Sequence, residues 1–552
     1  MNKLIIAGAV GVSILLALST QSPSNAQDNT VGKKWQPHID LEGKPGTKRS
    51  LAETDLFLPL WQDEDSLLFA SFRARMDDSD SREGNFGLGL REMFDNGWNL
   101  GGYGYLDHRK SPYGNSFNQA TLGLEALSFD LDLRANVYLP FGRTAHLTDE
   151  FAEADFSGAN IQYRAGYERA MKGFDAEIGW RVPVFEDDAN QQLRIYGGGY
   201  RFTDDYAKTV QGPRGRIDLT FDETPYLWAG SRLSIGAEIQ HDSPRGTQSF
   251  GLLRLRIPLQ NFDEKPKRPR LSAMERRMAD PIIRDIDIVS QAGAFGAPEK
   301  ITATADGNDV LLLSDTQHDG NSIDDQIAGA ATNATIVLSG VFNDAFTAIT
   351  LNDGQTVMGK GEIQVKTPSG RTVTIQTPGA TVNANPGLVG TRATAFVMAN
   401  NSRLIGMNIN ITKTGTGVQT VGVQASGKSN VEIIGNTINS TSNDDESAGI
   451  WIRNGSSNVK IRNNTINAKV TTAASAATYG LLVGRAGEPG STISAFDNNA
   501  VTISNGSTNN LVGYINATSN NIVSGSNNTG NTTQCSGNAQ SGSISFTNGT
   551  SC

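Results

Sequence analysis

Asp444, Asp445 and Glu446 stand in a row in SNDDES, residues 442–447. Neighbouring carboxylates can divide the work of a general acid and a general base, as in glycoside hydrolysis. Such a site also needs a positioned basic partner, and none is evident around this run, so it reads as a solvated turn. Arg453 and Arg462 follow it and read as structural ion-pair partners. DTQHDGNSIDDQ, residues 315–326, spaces Asp, Asp-Gly and Asn faintly like a calcium loop. It lacks the closing Glu and the regular acidic positions such a loop requires. No catalytic, cofactor-binding or metal-ligating residue is therefore assigned, and no cofactor is expected. Cys535 and Cys552 are the only cysteines. In a secreted chain an even pair reads as a disulfide. Closing a loop of about 16 residues contributes roughly 3 kcal/mol and staples an end that would otherwise fray.

Secretion is itself readable. Lys3 precedes an apolar run from Leu4 to Ser19, and Ser24-Asn25-Ala26 offers small residues for cleavage after Ala26. The run is shorter than the roughly 20 residues a spanning helix needs; a retained anchor is the other reading. No later stretch is long and apolar enough for a membrane helix. A membrane location would therefore require a closed barrel, the other way to satisfy every backbone group in lipid. The net charge of −10 disfavours nucleic acid as a partner. The 60 glycines and the tracts of Asn, Ser and Thr point to turns and repeats rather than helical bundles.

From about Glu53 to Pro258 one pattern recurs. In LDLRANVYLPF, residues 131–141, Leu131, Leu133, Ala135, Val137 and Leu139 share one face, and Asp132, Arg134, Asn136 and Tyr138 share the other. This is the period of two of a strand. About twelve such segments, each near the 9 to 11 residues that cross a bilayer at a tilt, are separated by polar turns. Alternation fits a soluble β-domain as well as a membrane barrel with apolar residues on lipid and polar ones in the lumen. Arg and Asp at the polar positions favour the barrel. So do aromatics near strand ends (Trp61, Trp98, Trp180, Trp228, Tyr103, Tyr105, Tyr138), read as interfacial girdles.

The order of blocks in residues 85–127, NFGLGLREMFDNGWNLGGYGYLDHRKSPYGNSFNQATLGLEAL, followed by DLRANVYLP, resembles the β-domain of the intimin/invasin family, the inverse autotransporters. WQPHIDLEG and DLFLPLWQDEDSLLF resemble that family's opening. The resemblance covers roughly residues 35–262. It implies a twelve-stranded outer-membrane barrel of a Gram-negative bacterium, with a C-terminal passenger at the cell surface. It also implies outer-membrane lipid, the barrel-assembly machinery and periplasmic chaperones as partners. Between Ala26 and Trp35 there is no room for a peptidoglycan-binding module, so anchoring to the cell wall is not implied.

Residues 263–292 join the halves. Pro266, Pro269 and Pro281 and the basic residues Lys265, Lys267, Arg268 and Arg270 make the start extended. Ser272 and Glu275 fit a capping box, so a short helix through Met278 is expected, ended by Pro281. The family resemblance implies that this segment threads the lumen, where Arg276, Arg277, Arg284, Asp285 and Asp287 can pair with a polar wall. A periplasmic linker is the alternative.

After Gly293 charge thins, and Asn, Thr, Ser, Gly, Val and Ile dominate. GVQASGKSNVEIIGNTIN (residues 422–439) is echoed about 28 residues later by GIWIRNGSSNVKIRNNTIN (residues 449–467). Buried alternate Val and Ile, with Asn at corners, suit a parallel solenoid with Asn ladders. The pattern resembles the right-handed parallel β-helix repeats of pectate-lyase-like proteins; a Greek-key sandwich is the alternative. Hydrolysis as in that fold's polygalacturonases would need a Gly-His-Gly motif. The only His of this part is His318, outside any such motif. Residues 323–331 are expected to form a capping helix.

The fold class expected is all-β: an approximately 12-stranded transmembrane barrel, then a right-handed parallel β-helix. The expected domains are a signal peptide (1–26), a periplasmic lead-in (27–52), the barrel (53–262), a lumen-threading linker (263–292) and a surface passenger (293–552). The expected function is self-export and anchoring of a non-enzymatic adhesin that binds a surface protein or glycan. The alternatives are a glycan-active surface enzyme and a channel with a periplasmic solenoid.

Overall fold

A computed structural model describes residues 34–552, except 157, 159, 225–226, 260–270, 286, 317–321, 344, 473–475, 516–519, 538 and 540. The expected leader, its cleavage after Ala26, and His318 lie outside the described residues. The chain forms two compact units. One runs to residue 152 and resumes over 165–296; the other comprises 153–164 and 297–552.

The first unit is a closed barrel of twelve antiparallel strands among the described residues. In chain order they are β1 (His38–Lys44), β2 (Leu51–Gln62), β3 (Ser66–Asp77), β4 (Arg82–Phe94), β5 (Trp98–Lys110), β6 (Ser116–Ser128), β7 (Leu131–Phe141), β8 (Lys172–Val182), β9 (Gln191–Thr203), β10 (Val210–Asp222), β11 (Arg232–Asp242) and β12 (Gly246–Pro258). Each pairs with its chain neighbour, and β1 closes on β12, from His38 opposite Pro258 to Gly43 opposite Leu253. The burial pattern is inverted relative to a soluble sheet. On β7, Leu133, Val137 and Leu139 are exposed while Asp132, Arg134 and Asn136 are buried. Leu124 on β6 is 70% exposed beside buried Glu125. Apolar side chains outside and charges inside are what hydrocarbon solvent demands.

The barrel starts earlier than the expected boundary at residue 53. His38–Lys44 lies inside the stretch read as a periplasmic lead-in, yet it is a wall strand. Pro37 and the Pro45-Gly46 pair flank this strand of seven residues. Asp40 and Glu42 face inward and pair with Arg256 and Arg254 on β12.

The second unit is a parallel β-helix. Its coils stack at a spacing of 27 to 36 residues, as the side-chain pairs between coils show. Inward positions repeat from coil to coil: Leu404, Ile433, Ile461 and Phe496 on one face, and Ile409, Ile438, Ile466 and Val501 on the next. Phe396, Val423, Ile450, Leu481 and Val512 stack in the third. These residues form one continuous buried cluster. This parallel pairing replaces the Greek-key alternative. Asn436, Asn464, Asn499 and Asn528 form a buried ladder, each amide donating to the carbonyl of the next at 3.0–3.1 Å. Asn401, Asn430 and Asn458 sit at φ of 57°, 57° and 51°. Apart from Gly, Asn is the residue that best tolerates this left-handed geometry. Helix Ile323–Gly329 covers one end with Ile323 and Ile327, and Gln355 donates to Ala330 O at 2.9 Å. At the other end Cys535 and Cys552 are bonded, their Cα atoms 5.7 Å apart.

Candidate functional site: the filled lumen

The short helix α1 (Ala273–Arg277) carries the capping box: the Ser272 hydroxyl accepts from Glu275 N, and the Glu275 carboxylate accepts from Ser272 N. Beyond it the chain is extended as it runs through the barrel. α1 lies beside the ends of β5 and β6, where Asn99 donates to Met274 O at 2.9 Å and Arg277 donates to Ser128 O. At the opposite end, Ser290–Gly293 pairs with Tyr167–Ala170, which also pairs with Ala145–Leu147.

An extended segment inside a barrel has no strand to pair with, so its backbone needs other partners. Side chains of the wall supply them. Arg91 donates to Met278 O and Asp280 O, both at 2.7 Å; Arg73 donates to Ile282 O at 2.6 Å; Arg109 donates to Ile288 O. Asp285 N donates to the Tyr138 hydroxyl at 2.6 Å and Ile288 N to Glu83 at 2.9 Å. The Trp35 indole donates to Glu275 O at 2.7 Å, so the residues before β1 also hold α1.

The charged side chains of the segment are paired as well. Arg277 meets Asp132 at 2.6 Å, Asp280 meets Arg232 at 2.6 Å, and Arg284 meets Asp107 at 3.0 Å. Asp287 takes Arg49 at 2.8 Å and Arg109 at 3.2 Å, and Arg276 lies 3.5 Å from Asp222. Of the residues anticipated for this role, Arg276, Arg277, Arg284 and Asp287 face wall carboxylates or guanidiniums; Asp285 contributes through its backbone N–H. Asp280, which holds both Arg232 and Arg277, was not anticipated. Its signal was available: it stands directly before Pro281, where the helix had to end and the chain to turn extended.

Buried ion pairs lose in desolvation much of what they gain by attraction, so they specify an arrangement more than they stabilise it. Apolar packing adds to the fit. Met278 and Ile282 lie against Trp35, Phe57, Phe69, Tyr103 and Tyr105, and Val289 lies against Tyr138, Tyr200 and Phe202. Three of these rings correct the girdle assignment. Tyr103, Tyr105 and Tyr138 point into the lumen, Tyr103 donating to Asn136 at 2.8 Å and Tyr138 to Asp175 at 2.9 Å. Their phase along the strand is that of Asp107 and Asn136, the polar phase, and a phenol hydroxyl finds acceptors only there. A Cβ at Gly123 would stand 2.1 Å from the Tyr103 ring, so glycine makes the room. Trp61, Trp180 and Trp228 are exposed on the outside, as expected of girdle residues.

In the second unit the Asp444 carboxylate accepts from Gly417 N at 3.1 Å and that of Asp445 from Glu446 N at 2.7 Å, bonds that hold a turn. Arg453 pairs with Glu488, and Arg462 lies 3.3 Å from Asp497.

An all-β chain with a lipid-adapted exterior and a charged, filled bore defines an outer-membrane β-barrel protein of a Gram-negative bacterium. More particularly, residues 24–208 match the family described as inverse autotransporter, beta-domain, and the chain carries that domain. Solved structures similar to this chain include the NanC porin, at 12% identity over 40% of this chain and 100% of that one, with a TM-score of 0.26. Outer membrane phospholipase A from Escherichia coli matches at 12% identity over 43% and 95%, with a TM-score of 0.25. An outer membrane channel from Pseudomonas putida F1 matches at 11% identity over 42% and 98%, with a TM-score of 0.30. No curated protein matches the chain.

Proposed function

We propose that the barrel delivers the β-helix to the cell surface and holds it there for adhesion. The observation that carries this reading is the course of residues 271–285 and 287–293 through the lumen, from the end whose connections (63–65, 95–97, 129–130, 183–190 and 223–231) are all short to the end with the long connection 142–171. Outer-membrane barrels place short turns in the periplasm and long loops outside. The chain therefore leaves the bore on the outer side. A lumen occupied along its length also weighs against an open channel.

The β-helix offers a long, regular, polar surface, which suits binding of a protein or glycan on another surface. The turn bonds of Asp444 and Asp445 support a non-enzymatic role. The proposed partners are outer-membrane lipid on the barrel exterior, the barrel-assembly machinery and periplasmic chaperones on the way to it, and a surface receptor for the β-helix. Protease added to intact cells tests the reading. Residues beyond 293 should be trimmed while the barrel survives; a second unit protected until the outer membrane is permeabilised would contradict it.

A further inference from the structure

Three guanidinium groups converge on the outward face of the sheet made by Arg392–Val397, Gln419–Ser426, Ser447–Arg453, Ala477–Val483 and Thr508–Tyr514. Val397, Gln424, Trp451 and Leu482 form one outward column, next to the inward column from Phe396 to Leu481. An outward face should be wet, yet Val421, Ala448, Trp451 and Leu482 are buried, with Tyr479 packed against them. Long side chains roof the face. The Arg392 guanidinium lies 4.2 Å from the centre of the Trp451 ring, and that of Arg453 lies 4.8 Å from it. The Trp451 N–H donates to Gly484 O at 3.0 Å, which fixes the ring between them.

Arg453 has Glu488 as partner, Nε to Oε2 at 2.9 Å. Among the described residues Arg392 and Arg485 make no ion pair, although Arg485 repels both Arg392 and Arg453. The Nε of Arg392 is a buried donor with no acceptor. Leaving such a donor unmet costs free energy that a ligand oxygen recovers. On the same unit Arg403 is matched by Glu432 and Arg462 by Asp497. Glu446 borders the same patch; burial, and then Asp445, push its carboxyl above the usual range. Glu446 attracts the charges of Arg392 and Arg485, but among the described residues neither it nor Asp445 comes within ion-pair distance of either guanidinium.

We propose that this patch binds an acidic sugar directly, its carboxylate or sulfate on the Arg392 and Arg485 forks and its hydroxyls on Asp445 and Glu446. Guanidinium forks match the spacing of two oxygens on one oxyanion, and a ring-backed fork is already oriented. This inference rests on the reading that the β-helix binds at a surface, and it names the chemistry bound.

The test uses the full chain in detergent micelles with three immobilised polymers: dextran sulfate, hyaluronate and uncharged dextran. Binding to dextran sulfate, hyaluronate or both, but not to dextran, is expected, and it should persist in chelator because no metal bridges the contact. The two charged arms separate sulfate from carboxylate as the preferred group. Arg392→Ala and Arg485→Ala should each weaken binding roughly tenfold or more. Arg392→Lys, which keeps charge and loses the fork, should fall between, and Arg403→Ala should change nothing. Equal binding to all three polymers, no binding to either charged polymer, or unaltered binding by both alanine variants would overturn the proposal. Tryptic digestion patterns like wild type establish that the variants are folded. Micelle binding with a second unit that cells do not display would leave this site standing and remove the adhesion reading; display without binding would do the reverse.

Discussion

Arg232 on β11 and Asp280 on the lumen segment meet at 2.6 Å, and Arg277 of the same segment holds the other carboxylate oxygen at 3.1 Å. One carboxylate thus ties wall to segment and segment to itself, just where α1 gives way to extended chain. Asp280→Ala leaves two guanidiniums facing each other in the bore. Removing one partner of a buried pair costs about 3–5 kcal/mol. The temperature of the heat-dependent shift in gel mobility should fall accordingly, and replacing Arg232 and Asp280 together by Leu should restore part of it. A transition unmoved by Asp280→Ala would show that the pair holds nothing.

The lipid face is expected to reject charge. Leu124 stands midway along β6, exposed to the bilayer. Leu124→Arg should destabilise the barrel by roughly 2–4 kcal/mol, the cost of a cation near the midplane, seen as reduced folding into lipid vesicles. Thr121→Arg would serve as a poor control, because that site is buried in the bore against Asp107.

The Asn ladder should be cooperative. Asn464 takes hydrogen bonds from the N–H and amide of Asn436 and gives two, from its own N–H and amide, to Asn499. Asn464→Ala strands donors on a neighbouring coil, at about 1–3 kcal/mol for each unmet group. Hydrogen exchange of the full chain should quicken over residues 432–440 and 496–500 while the barrel is unchanged.

Acid should weaken one ladder of charges. Burial alone would raise the Glu432 carboxyl, but the hydrogen bonds and charges of Lys460 and Arg403 outweigh it and hold it below the usual carboxylate range. A depressed folded value means that the stabilisation is complete above the unfolded value, about 4.3, and is lost as pH falls through the lower folded one. Between pH 7 and pH 3 the wild-type β-helix should lose more thermal stability than Glu432→Gln; parallel curves would contradict the assignment.

Much of this was legible in residue order because period-two alternation is clear in strands such as β4, β6 and β7, and Leu133 against Arg134 reports the two faces directly. The coil spacing was legible through the NTIN phase of Asn436–Asn439 and Asn464–Asn467. What alternation does not report is what a ring does at a strand end. Tyr103 stands in the middle of β5 and Trp180 near the end of β8, and phase, with a hydroxyl needing an acceptor, separates bore from interface. The first strand was hidden because seven residues between two prolines resemble a loop until β12 is there to pair with them. The Arg392–Trp451 contact was hidden for a different reason: its residues are 59 apart in sequence and meet only because coils stack.

The central claim is that residues 271–285 and 287–293 fill the bore of the assembled barrel. Thr121 on the wall and Arg284 on the segment lie in contact, Oγ1 to Nη1 at 3.4 Å, and the two native cysteines are bonded to each other. The most direct measurement is treatment of intact cells carrying Thr121→Cys and Arg284→Cys with a short, membrane-permeant bis-maleimide. Efficient cross-linking within one chain, seen as altered mobility of the fully denatured protein, is the result expected. Two thiols modified separately, with no cross-link in a protein whose barrel is folded, would contradict it.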